Sequence, residues 1–172
     1  MRKSTAQTVA FGGIIAALYV ALTYLANLLG LASGAIQVRF SEALTILPVF
    51  SLSAVPGLTV GCVLANLLTG CAPWDVVFGS LATLIGAVGT WLLRKKPFLA
   101  WIPPVVSNMV IVPLVLLHVY GVADLTVFGH TYAGNSLFWM LMVTVGAGEV
   151  ISCGVLGLLL YHSLRKIPQL KK

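Results

Sequence analysis

The sequence predicts an all-α integral membrane protein, a six-transmembrane-helix bundle forming a single membrane domain over 1–172. Three observations predict it. The chain is 59% hydrophobic and 8% charged, with a mean hydropathy of +1.04. A soluble domain carries charge on about a quarter of its residues, so this chain cannot cover itself in the same way. Apolar runs recur from near Val9 to Tyr161, and 172 residues suffice for six spans at roughly 20 residues each. Finally, nine of the ten Lys and Arg residues fall in three clusters: Arg2-Lys3, Arg94-Lys95-Lys96, and Arg165-Lys166 with Lys171-Lys172. Basic residues kept on the cytoplasmic side of a membrane make this pattern.

Each element then follows in order. Helix one runs roughly over 8–30, after Arg2-Lys3. The small residues Ala32-Ser33-Gly34-Ala35 resemble a signal-peptidase site, but the run from Val9 to Leu31 is longer than a signal core. It is read as a retained helix. A loop from Leu31 to Gln37 leads to helix two, about 38–50, ending near Pro48 and short for a span. The turn from Ser51 to Gly57 opens helix three, about 55–68, and Thr69 to Pro73 form a loop. Helix four covers about 75–93 and stops at the Arg94 cluster. Helix five covers about 98–119, with Pro103, Pro104 and Pro113 expected to bend it. Residues 120–135 form the longest loop, and helix six covers about 136–163.

With the three basic clusters all cytoplasmic, an even number of spans must separate each pair. Four spans before Arg94 and two after it agree. This places the protein in the cell (plasma) membrane as a multi-pass chain with both termini cytoplasmic. Arg39, Glu42, Asp75 and Asp124 then fall toward the outer side, and Glu149 near the middle of helix six.

Several functions are excluded or disfavoured. The net charge of +6 is not interleaved with stacking aromatics, so no nucleic-acid partner is expected. The three Cys form no CxxC pair, so neither a disulfide framework nor a metal site is indicated. His118, His130 and His162 are scattered, and there is no GxxxxGK[ST] phosphate loop. No enzyme chemistry, catalytic residue or cofactor in this chain is suggested. No inverted repeat of the kind many autonomous carriers have is visible. A small bundle with outward acids and no motor suggests a capture subunit.

An ionisable side chain within a span costs roughly 2.5–3.5 kcal/mol on insertion scales, so it faces protein or a watery cavity. Glu149 is the deepest acid, and Gly146, Ser152 and Cys153 share its face. It is either a substrate acceptor or a glutamate held by a neighbouring helix. Asn66 and Asn108, each with donor and acceptor groups, either line the same pocket or join helices. Asp75 either complements the start of helix four or binds ligand. Trp74 is either an interfacial belt residue or a stacking face. Arg39 and Glu42 share a helix face; they either neutralise each other or direct Glu42 into a cavity. Small residues recur at Gly13, Ala17 and Ala21 in helix one, and at Gly57, Gly61, Ala65 and Thr69 in helix three. Such ladders allow close helix approach. Helix three is expected to use its ladder within the bundle, helix one to dock a membrane partner.

Three stretches, "IQVRFSEALTILPVFSLSAVPGLTVGCVLANLL", "WDVVFGSLATLIGAVGTWLLRKK" and "GEVISCGVLGLLLY", resemble the QueT family, substrate-binding S-components of energy-coupling-factor (ECF) transporters. The resemblance implies a six-helix bundle with an outward site for a queuosine precursor, a 7-deazaguanine base or queuine. It also implies a transmembrane T-component and two cytoplasmic ATPases as partners, ATP being used by those subunits alone, and a mechanism in which the S-component topples in the bilayer. An AxxxA motif in helix one typically contacts the T-component, and Ala17-Leu18-Tyr19-Val20-Ala21 matches it. The site residues are assigned from chemistry instead. Glu149 or Glu42 can accept the N–H donors of a guanine-like edge, Asn66 or Asn108 suits its carbonyl and a ring N–H, Asp75 can pair with an aminomethyl cation, and Trp74 offers a stacking face. The alternatives are an S-component for another vitamin or base, an autonomous ion-coupled carrier, and a membrane enzyme or scaffold.

Overall fold

The computed structural model describes residues 5–31, 36–127 and 129–167. It is mostly helical, and among the described residues four helices are long and apolar enough to cross a membrane: Thr5–Leu28, Pro73–Leu92, Pro97–His118 and Asn135–Leu164. Two shorter apolar helices, Phe40–Val49 and Ala54–Leu68, complete the set. The signal-peptidase-like residues 32–35 lie outside the described residues.

The chain begins with α1 (Thr5–Leu28). The next element, Phe40–Val49, is a 3-10 helix, not the α-helix expected over 38–50. Ten residues at about 2.0 Å rise reach as far as a longer α-helix would. Every residue from Ser41 to Pro48 is buried, so the segment shows no face to lipid. Its shorter hydrogen-bonded repeat is reinforced from a side chain: the Thr45 hydroxyl donates to the Glu42 carbonyl at 2.6 Å. Pro48, which has no N–H to donate, lies inside it, one residue before its end at Val49. Backbone that departs from the α-helix is tolerated at membrane depth only where protein surrounds it, as it does here.

Next come α2 (Ala54–Leu68) and α3 (Pro73–Leu92). The expected single helix over 98–119 is divided into a 3-10 turn, Pro97–Leu99, and α4 (Ile102–His118). Pro103 and Pro104 therefore lie in the first turn of α4, where a missing N–H leaves no bond unmade. They start the helix instead of bending it, and Pro113 alone is interior. The stretch 120–135, expected as a loop, carries an antiparallel hairpin of β1 (Asp124–Val127) and β2 (His130–Ala133), with Gly129 at φ +81° in the turn. The last helix starts as α5 (Asn135–Glu149), widens into a π-helical segment (Val150–Leu156) and ends as α6 (Gly157–Leu164). Such π turns inside α-helices are frequent at functional sites, and this one starts at the residue after Glu149.

The core lies where α1, the 3-10 segment, α2 and α3 converge, around Ile15, Tyr19, Leu44, Leu47, Leu58 and Cys62. Glycine sets the α1–α2 separation. A Cβ on Gly57 would lie 2.6 Å from the Gly12 carbonyl oxygen, and one on Gly61 would lie 3.0 Å from Ala16 Cα. The helix-three ladder is thus spent within the bundle. Gly13, in contrast, has nothing within 4 Å of its Cβ position. Gly57→Ala is expected to destabilise the protein by about 1–3 kcal/mol through overpacking against backbone, and Gly13→Ala by less than about 0.5 kcal/mol. Thermal midpoints of the two variants in one detergent check the contrast.

Candidate functional site

Four elements meet around the buried acids. Glu42, on the 3-10 segment, is 1% exposed, and Glu149, at the end of α5, is 8% exposed. The Tyr19 hydroxyl of α1 donates to Glu42 Oε1. Glu42 Oε2 is buried without a hydrogen-bond partner. Cys153, in the π segment, donates its thiol toward Glu149 Oε2 at 3.3 Å and toward the Glu42 carbonyl at 3.5 Å. One ligating atom each from Glu42, Glu149 and Cys153 lies within 4.8 Å of the others. Three donor atoms this close could hold a small cation, though sequence spacing pointed to no metal ligand; they equally form an acceptor surface for N–H groups. Asn108, on α4, faces Glu149 closely enough to act on its carboxylate, while its buried Nδ2 makes no well-formed hydrogen bond.

Leaving a buried polar atom unpaired costs about 1–3 kcal/mol, more when the group is charged. Two such atoms beside paired acids therefore mark a place where a ligand's polar groups would complete the bonding. The backbone is arranged to bring them there. Gly148 has no side chain, and a Cβ at that position would run into the Gln37 carbonyl. Its absence lets residues 37–39 lie against α5 beside Glu149. The Arg39 N–H then donates to Ser152 Oγ at 3.2 Å, which ties the start of the 3-10 segment to the π segment.

A second polar group lies toward the ends of α1, α2 and α3. Asn66 Nδ2 donates to the Asp75 backbone carbonyl at 3.1 Å and approaches Cys62 Sγ at 3.6 Å. Tyr120 donates to Asp75 Oδ2 at 2.9 Å. Asp75 thus sits in the first turn of α3, where a carboxylate complements the helix dipole, with its side chain engaged by Tyr120. Arg39 and Asn66 both line two small cavities. One, of about 90 Å³, is bounded by Thr23, Asn27, Thr69 and Cys71. The other, of about 20 Å³, is bounded by Asp75, Phe78, Gly79 and Ile111.

Of the residues singled out in the sequence, Glu42, Glu149 and Asn108 come together, and Asn66 and Asp75 form the neighbouring group. Trp74 belongs to neither. It is 53% exposed and stacks on Phe78 at 6.0 Å between centroids, which fits the belt reading. Arg39 and Glu42 make no ion pair within 4.0 Å, so mutual neutralisation at the rim is not the arrangement found. Gly13, Ala17 and Ala21 all lie on the exposed face of α1.

Tyr19 is the residue that sequence reasoning missed, together with the Cys153 contact. It lies between Ala17 and Ala21, about 200° around the helix from Ala17, and so points inward while they point outward. A signal existed: tyrosine is enriched at membrane interfaces, and this one is mid-helix. Tyr19→Phe leaves both Glu42 oxygens without a donor. It is expected to cost about 1–3 kcal/mol of stability, measured as a lower thermal midpoint of ligand-free protein.

Comparisons with known proteins identify the family. The chain is 37% identical over 86 residues to the protein named Queuosine precursor transporter QueT from Lactococcus lactis subsp. cremoris (strain MG1363). That alignment covers 49% of this chain and 50% of the relative, so it spans about half the length of each. No solved structure matches the chain. The profile of the QueT transporter family matches residues 9–166, nearly the whole of the helical fold described above, and the chain belongs to that family.

Proposed function

We propose that this chain is the substrate-capture subunit, the S-component, of an ATP-driven ECF importer, and that it binds a queuosine precursor, a 7-deazaguanine base or queuine, from the extracellular side. The observation that carries the binding role is the buried acid pair with an unpaired Glu42 oxygen, together with Asn108 facing Glu149. A guanine-like edge presents adjacent N–H donors, which Glu42 and Glu149 can accept, and a carbonyl, which an amide N–H such as that of Asn108 can meet. The relative's name, Queuosine precursor transporter QueT, supports the substrate class. An aminomethyl cation would pair more readily with the Glu42–Glu149 pair than with Asp75, whose carboxylate already accepts from Tyr120.

In this reading the chain is one membrane domain of six membrane-embedded helices, with the 3-10 segment and α2 as the short members. The termini and the Arg94 cluster are cytoplasmic, and the ends of α1, α2 and α3 that carry Asn27, Thr69 and Asp75 face outward. The exposed stripe of Gly13, Ala17 and Ala21 docks a T-component carrying two cytoplasmic ATPases, which alone use ATP. The chain works by binding and needs no cofactor of its own.

A thermal-shift screen of the purified chain, without nucleotide, against guanine, adenine, riboflavin, thiamine and deazaguanine bases tests the substrate. A shift with deazaguanines is expected, and a shift with vitamins alone overturns the assignment. Uptake by vesicles that hold the chain but no ATPase partner would overturn the S-component role in favour of an autonomous carrier.

A further inference from the structure

The placement of Arg39 is not explained by an ion pair or a side-chain hydrogen bond. It immediately precedes the 3-10 segment in an extended conformation, φ −108°, ψ 107°, and its backbone is pinned to Ser152. Its guanidinium makes no hydrogen bond or ion pair with another described residue. It nevertheless lines both cavities and lies within electrostatic reach of Glu42 and Glu149. A guanidinium serving only to neutralise those acids would close on one of them, because charge-assisted bonds to carboxylate are among the strongest available. This one stays more than 4.0 Å from either carboxylate.

The depths of the groups differ. Glu42 meets Tyr19 in the middle of α1, whereas the larger cavity at Arg39 is bounded by Thr23 and Asn27, one and two turns further along. The site is therefore polar along its axis, with acceptors inside and a fork of donors nearer the outer end. The arginine fork is rigid and planar, and five N–H groups suit a flat acceptor edge. Cavities of about 90 and about 20 Å³ fall short of the roughly 300–1,000 Å³ of ligand pockets, so their walls must part to admit a base. Arg39 stands between them and would meet the ligand as they merge.

We propose that Arg39 reads the acceptor edge of the ligand, donating to its ring carbonyl, while Glu42 and Glu149 hold the donor edge more deeply. The inference rests on the deazaguanine reading above and fixes the ligand's orientation within it, with Arg39 instead of Asn108 on the ring carbonyl. Binding of 7-deazaguanine and of its 6-thio analogue is measured on purified full-length chain. The thio compound keeps every N–H donor and offers only a poor acceptor in place of the carbonyl oxygen. Wild type is expected to bind the thio analogue about 10-fold or more weakly than the oxo form, the scale of one charge-assisted hydrogen bond. Arg39→Met is expected to lose about 10- to 100-fold toward the oxo form and to stop distinguishing the two ligands. Arg39→Lys should fall between, and Glu149→Gln should lose affinity for both while still preferring the oxo form.

Equal binding of both ligands by wild type, or undiminished discrimination by Arg39→Met, overturns the assignment of Arg39 alone. Wild type that binds neither ligand overturns the deazaguanine reading, and the assignment of Arg39 with it. If Arg39→Met does not elute as a folded species, the wild-type oxo-to-thio ratio and the Arg39→Lys variant still decide.

Discussion

Glu149→Gln is expected to weaken binding of a deazaguanine base by about 100-fold or more, the loss of at least one charge-assisted hydrogen bond in a dry site. The geometry makes the effect large. Glu149 is 8% exposed, and it accepts from the Cys153 thiol at 3.3 Å, a weak donor. Its carboxylate thus remains available to stronger donors. Glutamine has nearly the same shape but replaces one acceptor oxygen by an N–H₂ group, which would face the ligand's own N–H groups donor to donor. Stability should not fall in parallel, because removing a buried charge from an acid pair relieves repulsion and desolvation together. Calorimetric titration with a thermal midpoint on the same preparation separates the two. Unchanged affinity would remove Glu149 from the site and leave membership of the family intact.

On the S-component role proposed above, Ala17→Leu with Ala21→Leu is expected to reduce ATP-driven uptake below about a tenth of wild type while substrate affinity stays within about twofold. Small residues four apart let helices approach closely, and two leucines on that face hold a partner helix off. Ala17 and Ala21 lie on the exposed face of α1, whereas Tyr19, buried at 1% exposure, faces Glu42 from the other side. One five-residue stretch thus serves two surfaces, so a docking defect can be obtained without touching the site. Reconstituting the variant with T-component and ATPases, and measuring binding and uptake on the same batch, checks this. Loss of both activities would mean that the leucines disturbed Tyr19. Unimpaired uptake would move the docking surface off this stripe.

Much of the fold was legible because lipid imposes a simple rule. A backbone with no water to bond must bond to itself, so each long apolar run from Val9 onward had to be helical. Where protein surrounds the backbone, that rule relaxes, and the reading failed in those places. The segment Phe40–Val49 could become a 3-10 helix because Ser41–Pro48 are buried on every side. The widening over Val150–Leu156 is equally invisible to hydropathy, since a π turn and an α turn bury the same residues. The hairpin at 124–133 was missed because two four-residue strands give too little alternation to read.

By itself the sequence determined which residues had to be hidden from lipid: Glu42, Asn66, Asn108 and Glu149 are polar within apolar runs, and the cost of exposing them to hydrocarbon requires partners. The tertiary structure alone decided which of them meet. Glu42 and Cys153 are 111 residues apart, and nothing in a linear pattern pairs them. Their approach depends on a missing side chain at Gly148, a buried 3-10 segment and a widened helix. Trp74 lies exposed and Arg39 lines two cavities for the same reason: composition says what a side chain can do, and packing decides where it lies.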